Sequence, residues 1–551
     1  MRTYSCAFAL LLGAVAPSHQ TNPSWYDQGL LGAYPSREYH SFHLPSPRLH
    51  VLEASDHCDQ SYVFIEPRGN SVSDPGPMIL EANGDLIYME AKFGEAMDFR
   101  PQVYKGETYL TFWSGTDDGT HGHGSYYMLD SSYEVKYIIN PANGLEGDLH
   151  EFTITADGTA LMTIYEITPA NLSTVGGPPE GWIHDSIFQE MDIETGELIF
   201  EWRASQYYRV DESFDRPNGK GKSQDHAWDF FHINSIDKDA DGNYYISSRY
   251  MHTVTCLSPE GKILWKLGGQ HSDFTDLSDG AASNFSWQHH VRWHENNTLT
   301  IFDNGAYSKY ERTADYSRGL HVQLDLDHMT TTLLVAYVNP MHILSGSQGS
   351  VQFLDNGNVF VGWGYNAAYT EFSRDGKVLC DIHFGASAYF NTGYIKSYRA
   401  FRGHWVGTPN TKPDIARRDD GVYVSWNGAT EVDAWKLQSA GHADAQDGDF
   451  SDVEIIKKNG FETKFLPEDI VGNFLRVVAL GSNGEALGLS KVLDRGAGRI
   501  VEGIFEPIQD RDFVALQLLL GLLVFASFGF VVCARTTREP AVQLPDASQA
   551  I

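Results

Sequence analysis

Asp241-Gly-Asn-Tyr-Tyr-Ile-Ser-Ser-Arg249, then Thr253-Val-Thr-Cys-Leu257, then Gly261-Lys-Ile-Leu-Trp-Lys266 read as three consecutive β-strands. Each run is rich in β-branched and aromatic residues. Asp241-Gly242 and Ser258-Pro-Glu-Gly261 supply the tight turns that antiparallel neighbours need. The pattern recurs: strand-like runs open at Gly or Asn turn residues near positions 106, 157, 196, 297, 319, 356, 376 and 421. They group into six units of sheet with almost no helical periodicity between them. Repeated antiparallel sheets that cannot bury both faces alone predict an all-β fold, a six-bladed β-propeller over residues 60–440. A long β-sandwich is the alternative.

The flanks differ in character. Residues 441–452 (GHADAQDGDFSD) are small and acidic, as a linker would be. Alternating runs near 453–458, 461–465 and 474–480 then predict a small β-sandwich of fibronectin type III character over 450–505. Residues 513–532 are uncharged and apolar, bounded by Asp512 and by Arg535 and Arg538. About 20 such residues at roughly 1.5 Å each match a hydrocarbon core of about 30 Å, which predicts one transmembrane helix. The basic flank puts the tail 533–551 in the cytosol. The short apolar run 6–16 after Arg2 predicts a signal peptide over 1–18. The bulk of the chain is therefore expected to be lumenal or extracellular, anchored to a membrane by its C-terminal helix.

Composition narrows the partners. With 72 acidic and 40 basic residues the formal charge is −32, which repels nucleic acid and excludes that partner class. Three of the five cysteines, Cys58, Cys256 and Cys380, lie in the ectodomain, so at most one internal disulfide forms there. No metal-ligand spacing occurs among them. Asn171, Asn284 and Asn296 open N-glycosylation sequons for that compartment.

Histidines fall at matched places in the repeat. His150 lies seven residues before Asp157, His289 seven before Asn296, and His232 nine before Asp241, where the turn is longer. The equivalent place in the next unit holds Gln348. A shared register puts these side chains on the innermost strands of adjacent blades, so the three imidazoles converge on the axis. Pairing about the 237–243 turn places Ser248 and Arg249 opposite His232. An arginine beside converging imidazoles suits a small oxyanion. His289 and His290 are strand neighbours, so alternation lets one of them face the channel and turns the other into the blade. His121 and His123 sit in a Gly-rich loop, and Glu151 and Asp303 read as turn caps.

These residues stand in words that closely resemble the arylsulfotransferase family, in its fungal or plant branch. The words are Asp148-Leu-His150-Glu-Phe, His232-Ile-Asn-Ser-Ile-Asp with Ser247-Ser-Arg249, Ile263-Leu-Trp-Lys-Leu-Gly-Gly269 and Phe285-Ser-Trp-Gln-His289. Phe302-Asp-Asn-Gly305, Ser317-Arg-Gly319 and Val424-Ser-Trp-Asn-Gly-Ala-Thr430 follow in order. The resemblance implies a six-bladed propeller that moves a sulfuryl group from an aryl sulfate ester to a phenolic acceptor. It implies no nucleotide donor, and no cofactor is expected. It also implies that His289 becomes transiently sulfated, assisted by His150, His232 and Arg249, with His290 and Asn234 in possible support. The contrasting reading is a non-catalytic surface receptor or scaffold; a hydrolase or lyase using the same channel is a third. Whether His150, His232, His289 and Arg249 reach one small oxyanion separates them.

Overall fold

A computed structural model describes residues 24–466 and 472–501. The expected signal peptide (1–18), transmembrane helix (513–532) and tail lie outside these residues. Among the described residues no helix is long and apolar enough to cross a membrane.

The strands pair as their turns dictate, into six antiparallel sheets in series. The first sheet holds Tyr62–Ile65, Met78–Leu80 and Leu86–Met89, and its innermost strand, Ala400–Gly403, comes from the far end of the repeat. The second runs Met97–Tyr104, Glu107–Asp117, Gly122–Leu129 and Val135–Ile139. The third runs Phe152–Ile154, Thr159–Ala170, Gly181–Asp192 and Leu198–Arg203. The fourth, Ile233–Lys238 to Ile263–Gly268, contains the stretch that opened the sequence reading. His289–His294 starts the fifth and Ser350–Phe353 the sixth. One apolar cluster fills each gap between neighbours. Trp113, Met162 and Ile187 lie between the second and third sheets, and Phe302, Val351 and Val361 between the fifth and sixth. Ile65, Leu80, Phe360 and Ile382 join the sixth back to the first, so the sheets close into a ring. That closure leaves only short, protected edges on the axis.

Two expectations need correction. The strands Gly421–Ser425 and Ala434–Ala440 do not belong to the ring. They pair with Thr463–Phe465, and with Ser451–Lys457 and Phe474–Leu480, in two terminal sheets. These sheets share a core of Val424, Trp435, Leu437, Phe465 and Val477. The boundary thus falls between Gly403 and Asp414, not at 440–450. Residues 441–452 join two paired strands and form no interdomain linker; small acidic residues suit a hairpin connection equally well. The unforeseen sheet is the first, whose innermost strand lies more than 300 residues along the chain from the other three. At the other boundary, His50–Glu53 adds to the outer edge of the sixth sheet. A disulfide between Cys58 and Cys380 fastens it there, and Cys256 is a buried free thiol.

On the ring axis the inner strands are tied by charge. The fully buried Arg399 guanidinium sits 2.7 Å from Asp98 and 3.1 Å from Glu151, and donates to the carbonyls of His150 and Asn234. Glu151 also takes two hydrogen bonds from Arg292, at 2.9 and 2.8 Å, and one from Arg100. The three arginines hold the Glu151 carboxyl well below its ordinary range in spite of burial. Breaking a buried pair strands its partners, at a cost of about 3–5 kcal/mol. Glu151→Gln is therefore expected to lower unfolding stability by about that amount in urea titrations followed by tryptophan fluorescence. A loss under about 1 kcal/mol would show that the network is not the axial tie.

Candidate functional site

The inner strands begin at one rim of the ring, where a cavity of about 540 Å³ opens. Its wall carries His150, His232, His289 and Arg249 together, with Tyr250, Tyr307 and Tyr398. The four residues singled out by register thus meet in one place. Each is held by a local device.

His150 and His232 are fixed by acids just upstream. Asp148 accepts from the His150 amide at 3.0 Å, and its Oδ1 lies 2.5 Å from His150 Nδ1. Asp229 does the same for His232, at 3.0 Å to the amide and 2.6 Å to Nδ1. With Nδ1–H donated, each ring turns Nε2 outward as the free nitrogen. The two rings meet edge to face, 4.7 Å between centroids. His232 has a left-handed φ of 57°, which tips its side chain out of the strand, and its carbonyl accepts from the Arg249 amide at 2.9 Å.

His289 is fixed by an amide. Asn304 donates its Nδ2 to the carbonyls of Ser345 and Gln348, at 3.0 Å each. Its Oδ1 therefore faces His289 Nδ1 at 2.7 Å and accepts that proton. Nε2 of His289 accepts a 3.2 Å hydrogen bond from the Gln348 amide. That amide is brought inward by left-handed φ values at Gln348 (67°) and Gly349 (109°). A Cβ at Gly349 would lie 2.4 Å from the Phe302 ring.

Arg249 is buried in an aromatic box, its guanidinium 4.8 Å from the Tyr307 ring, 5.3 Å from Tyr250 and 5.6 Å from Trp287. Nη2 donates to the Gly346 carbonyl at 2.9 Å, while Nε is buried and donates to nothing. Among the described residues no carboxylate forms an ion pair with it. A buried cation without an anion is costly, and the geometry leaves room for one.

The electrostatics sort the imidazoles. Burial, followed by the Arg249 charge, holds His289 well below the usual imidazole range. Burial outweighs Asp229 at His232 and takes it down to about 3. His121 goes the other way. It is buried, yet Asp118 and Asp229 raise it to about 10, so it is an imidazolium behind His232, with Nε2 3.0 Å from Asp229. His121, Asp229 and His232 form one group whose ligating atoms lie close enough for a metal ion, and Asp27, His50 and His383 form another. The Asp229 distances of 3.0 and 2.6 Å are those of hydrogen bonds, and shared protons satisfy them.

Other expected positions fall elsewhere. His290 is not turned into the blade. It takes φ 50° at a bulge where the register skips between His289 and Arg292, and so escapes strand alternation. Its Nδ1 accepts from Val351 at 3.3 Å, and it lines a second recess of about 640 Å³ with Arg100, Arg292 and Arg402. Asn234 is a structural tie: its Nδ2 donates to the Gln288 carbonyl at 2.7 Å. Glu151 and Asp303 orient no imidazole; arginines take both. The orienting groups the sequence reading missed are Asp148, Asp229 and Asn304. Their signal was present, two and three residues before a histidine and inside Phe302-Asp-Asn-Gly305. His121, expected to be a loop residue, is buried against Asp229.

The chain belongs to the arylsulfotransferase family, Arylsulfotransferase (ASST), which matches residues 100–385. Small aryl compounds are thus the substrate class that the family implies. No curated relative matches the chain. Among solved structures it is similar to a Bacteroides caccae protein of unknown function, at 13% identity over 62% of this chain and 98% of that one, TM-score 0.35. It is similar also to streptogramin B lyase (11%, 69% and 94%, TM-score 0.31) and to Saccharomyces cerevisiae Sqt1 (11%, 64% and 76%, TM-score 0.30). Likenesses this distant carry no functional information.

The two directions of shift predict a stability maximum near neutrality. His232 and His289 are both held below the ordinary imidazole range, so they favour folding above pH about 6.5 and lose that contribution as pH falls, His232 toward about 3. His121 favours folding below pH about 6.5 and loses its contribution as pH rises toward 10. Unfolding free energies at pH 5, 7 and 9 should therefore peak at 7. His121→Gln should flatten the alkaline side alone.

Proposed function

We propose that this protein transfers a sulfuryl group from an aryl sulfate ester to a phenol through a sulfohistidine at His289. The observation that carries the reading is Arg249. It is a buried guanidinium with an unused N–H and no carboxylate partner, lining one cavity with three oriented imidazoles. We read the six sheets as the six blades of a propeller whose rim holds this cavity.

Neutral His289 uses Nε2 as nucleophile, its proton being held on Nδ1 by Asn304, and the 3.2 Å hydrogen bond from the Gln348 amide gives way as sulfur approaches. Nε2 attacks sulfur; the N–S bond forms and the S–O bond to the phenol breaks. Charge gathers on the sulfuryl oxygens, where Arg249 neutralises it, and on the departing phenolate, which takes a proton from His150. For that step His150 starts protonated on both nitrogens, its Nδ1–H held by Asp148 and its Nε2–H the proton given up. In the second half the acceptor phenol gives its proton back to His150. Its oxygen attacks sulfur and the N–S bond breaks, restoring His289. An imidazole of low basicity stays unprotonated for the first half and leaves readily in the second.

The compartment belongs to the same proposal. The Cys58–Cys380 disulfide and the exposed asparagines of all three sequons suit a secretory route. The apolar segment 513–532 would anchor the chain to the membrane.

His289→Ala should lower turnover of 4-nitrophenyl sulfate with a phenol acceptor by about 10³-fold or more. Circular dichroism and the melting temperature should stay near wild type. Without acceptor, mass spectrometry at neutral to alkaline pH should find one added sulfuryl group on the peptide containing Ser286-Trp-Gln-His-His-Val. Full activity in His289→Ala would overturn the mechanism. Arg249→Lys should cost about 10²–10³-fold in kcat, since a single ammonium cannot present the planar fork.

A further inference from the structure

The wall of the same cavity carries two more cations, Arg68 and Lys396. They sit directly opposite each other on an isolated antiparallel bridge. Arg68 N donates to the Lys396 carbonyl and Lys396 N to the Arg68 carbonyl, both at 2.9 Å. Paired residues of such a bridge share a face, with Cβ atoms about 4.5–5.5 Å apart, and like charges so placed repel. The platform is rigid. Ser71 N donates to the Tyr394 carbonyl at 2.9 Å, and Gly69, at φ 115°, packs so closely that a Cβ would lie 2.5 Å from the Gly393 oxygen. Nothing in the fold gains from forcing these charges together unless something else answers them.

The protein answers them only in part. Arg68 is 2% exposed, and its Nε and Nη1 donate no hydrogen bond. The nearest carboxylates are Glu95 at 3.5 Å and Asp117 at 3.7 Å, long ion pairs without hydrogen-bond geometry; Glu95 is 41% exposed. Lys396 forms no ion pair among the described residues, and its ammonium rests 5.4 Å over the Tyr365 ring. Burial, then the Arg68 charge, pushes the lysine down to about 8, and Asp117 and Glu95 offset this only in part. A buried guanidinium whose Nε donates to nothing, an ammonium without an ion pair among the described residues and an aromatic ring thus line one cavity, with Asp117 on the same wall. That is the donor set for a planar carboxylate beside an aryl group.

We propose that Arg68 and Lys396 form a second anion subsite, which takes a carboxylate on the acceptor phenol while Arg249 takes the sulfuryl group. The inference rests on the sulfotransferase reading and deepens it: the preferred acceptors are phenolic carboxylates. Tyr365 supports the aryl ring, and Arg68 supplies the two-pronged contact.

The test compares three acceptors, phenol, 3-(4-hydroxyphenyl)propanoate and tyramine, with 4-nitrophenyl sulfate as donor and the full chain as enzyme. The wild type should favour the carboxylate over phenol in kcat/KM. Lys396→Met should cut that ratio at least tenfold, and Lys396→Glu should move the preference to tyramine. Arg68→Met should act in the same sense; if its melting temperature collapses, the Lys396 variants decide. An unchanged ratio in both Lys396 variants overturns the subsite. If Lys396→Met instead impairs a donor bearing a second sulfate and spares the carboxylate acceptor, the assignment to the acceptor falls. If no acceptor is sulfated at all, the sulfotransferase reading fails by itself. Calorimetric binding of 3-(4-hydroxyphenyl)propanoate then still judges the subsite: tenfold weaker binding to Lys396→Met supports it, and equal binding overturns it.

Discussion

Arg399, fully buried on the axis, meets Asp98, Glu151 and the carbonyls of His150 and Asn234, and much of the rest follows from that contact. It links the segment entering the first sheet to the second, third and fourth sheets, and Glu151 carries the link on to Arg292 of the fifth. A ring held by apolar gaps alone has an axis lined with strand edges and polar side chains. Filling it with matched charges satisfies those groups and sets the relative height of the inner strands, though buried pairs add little net stability over apolar packing. The network also separates two recesses. The one at the starts of the inner strands holds His150, His232 and His289, and the one along their far halves holds His290.

The network also decides which acids remain for the imidazoles. Glu151 directly follows His150 in sequence but is committed to three arginines. Orientation of the rings therefore falls to Asp148 and Asp229, which reach back along their own loops, and to a neutral amide at His289. The distinction has chemical content. A carboxylate beside a ring stabilises its charged form and suits a proton carrier. An amide fixes the tautomer without adding charge, and leaves the other nitrogen with an uncharged lone pair.

The repeat of β-runs and turns was legible, because hairpin chemistry is local: Asp241-Gly242 and Asn356-Gly357 announce their strands unaided. What escaped was non-local. The first sheet borrows Ala400–Gly403 from the other end of the ring, and nothing within a window of a dozen residues signals that pairing. The runs at 421–436 look like another repeat unit because a strand in a sandwich and a strand in a propeller obey the same alternation. Only their partners tell them apart. Within the site, the register of His150, His232 and His289 was readable, since it repeats with the hairpins. The box around Arg249 was not: Tyr250 and Trp287 lie near catalytic words, but Tyr307 enters from a loop of the fifth sheet.

His289 and His290 show how far a single backbone feature can redirect chemistry. Regular alternation would send one ring to the axis and its neighbour into the packed gap between sheets. The bulge between His289 and Arg292, with φ 50° at His290, instead sends the two rings into separate recesses, and Val291 takes the place in the gap. The fourth sheet breaks register at the same point, between Ile233 and Ser235 after the left-handed His232, and the second between Met97 and Arg100 after the left-handed Asp98. A left-handed residue at or just ahead of the start of an inner strand recurs in the second, fourth and fifth sheets, as it does at Gln348 ahead of the sixth, and the first three share an effect. In each case it frees one polar side chain, Asp98, His232 or His290, from the strand's two faces and delivers it to the axis. Asp98 then joins the ion network, His232 joins the cavity, and His290 joins the far recess. The site and the structure that supports it are therefore products of the same irregularity, and residue type at that one position decides which of the two each sheet contributes.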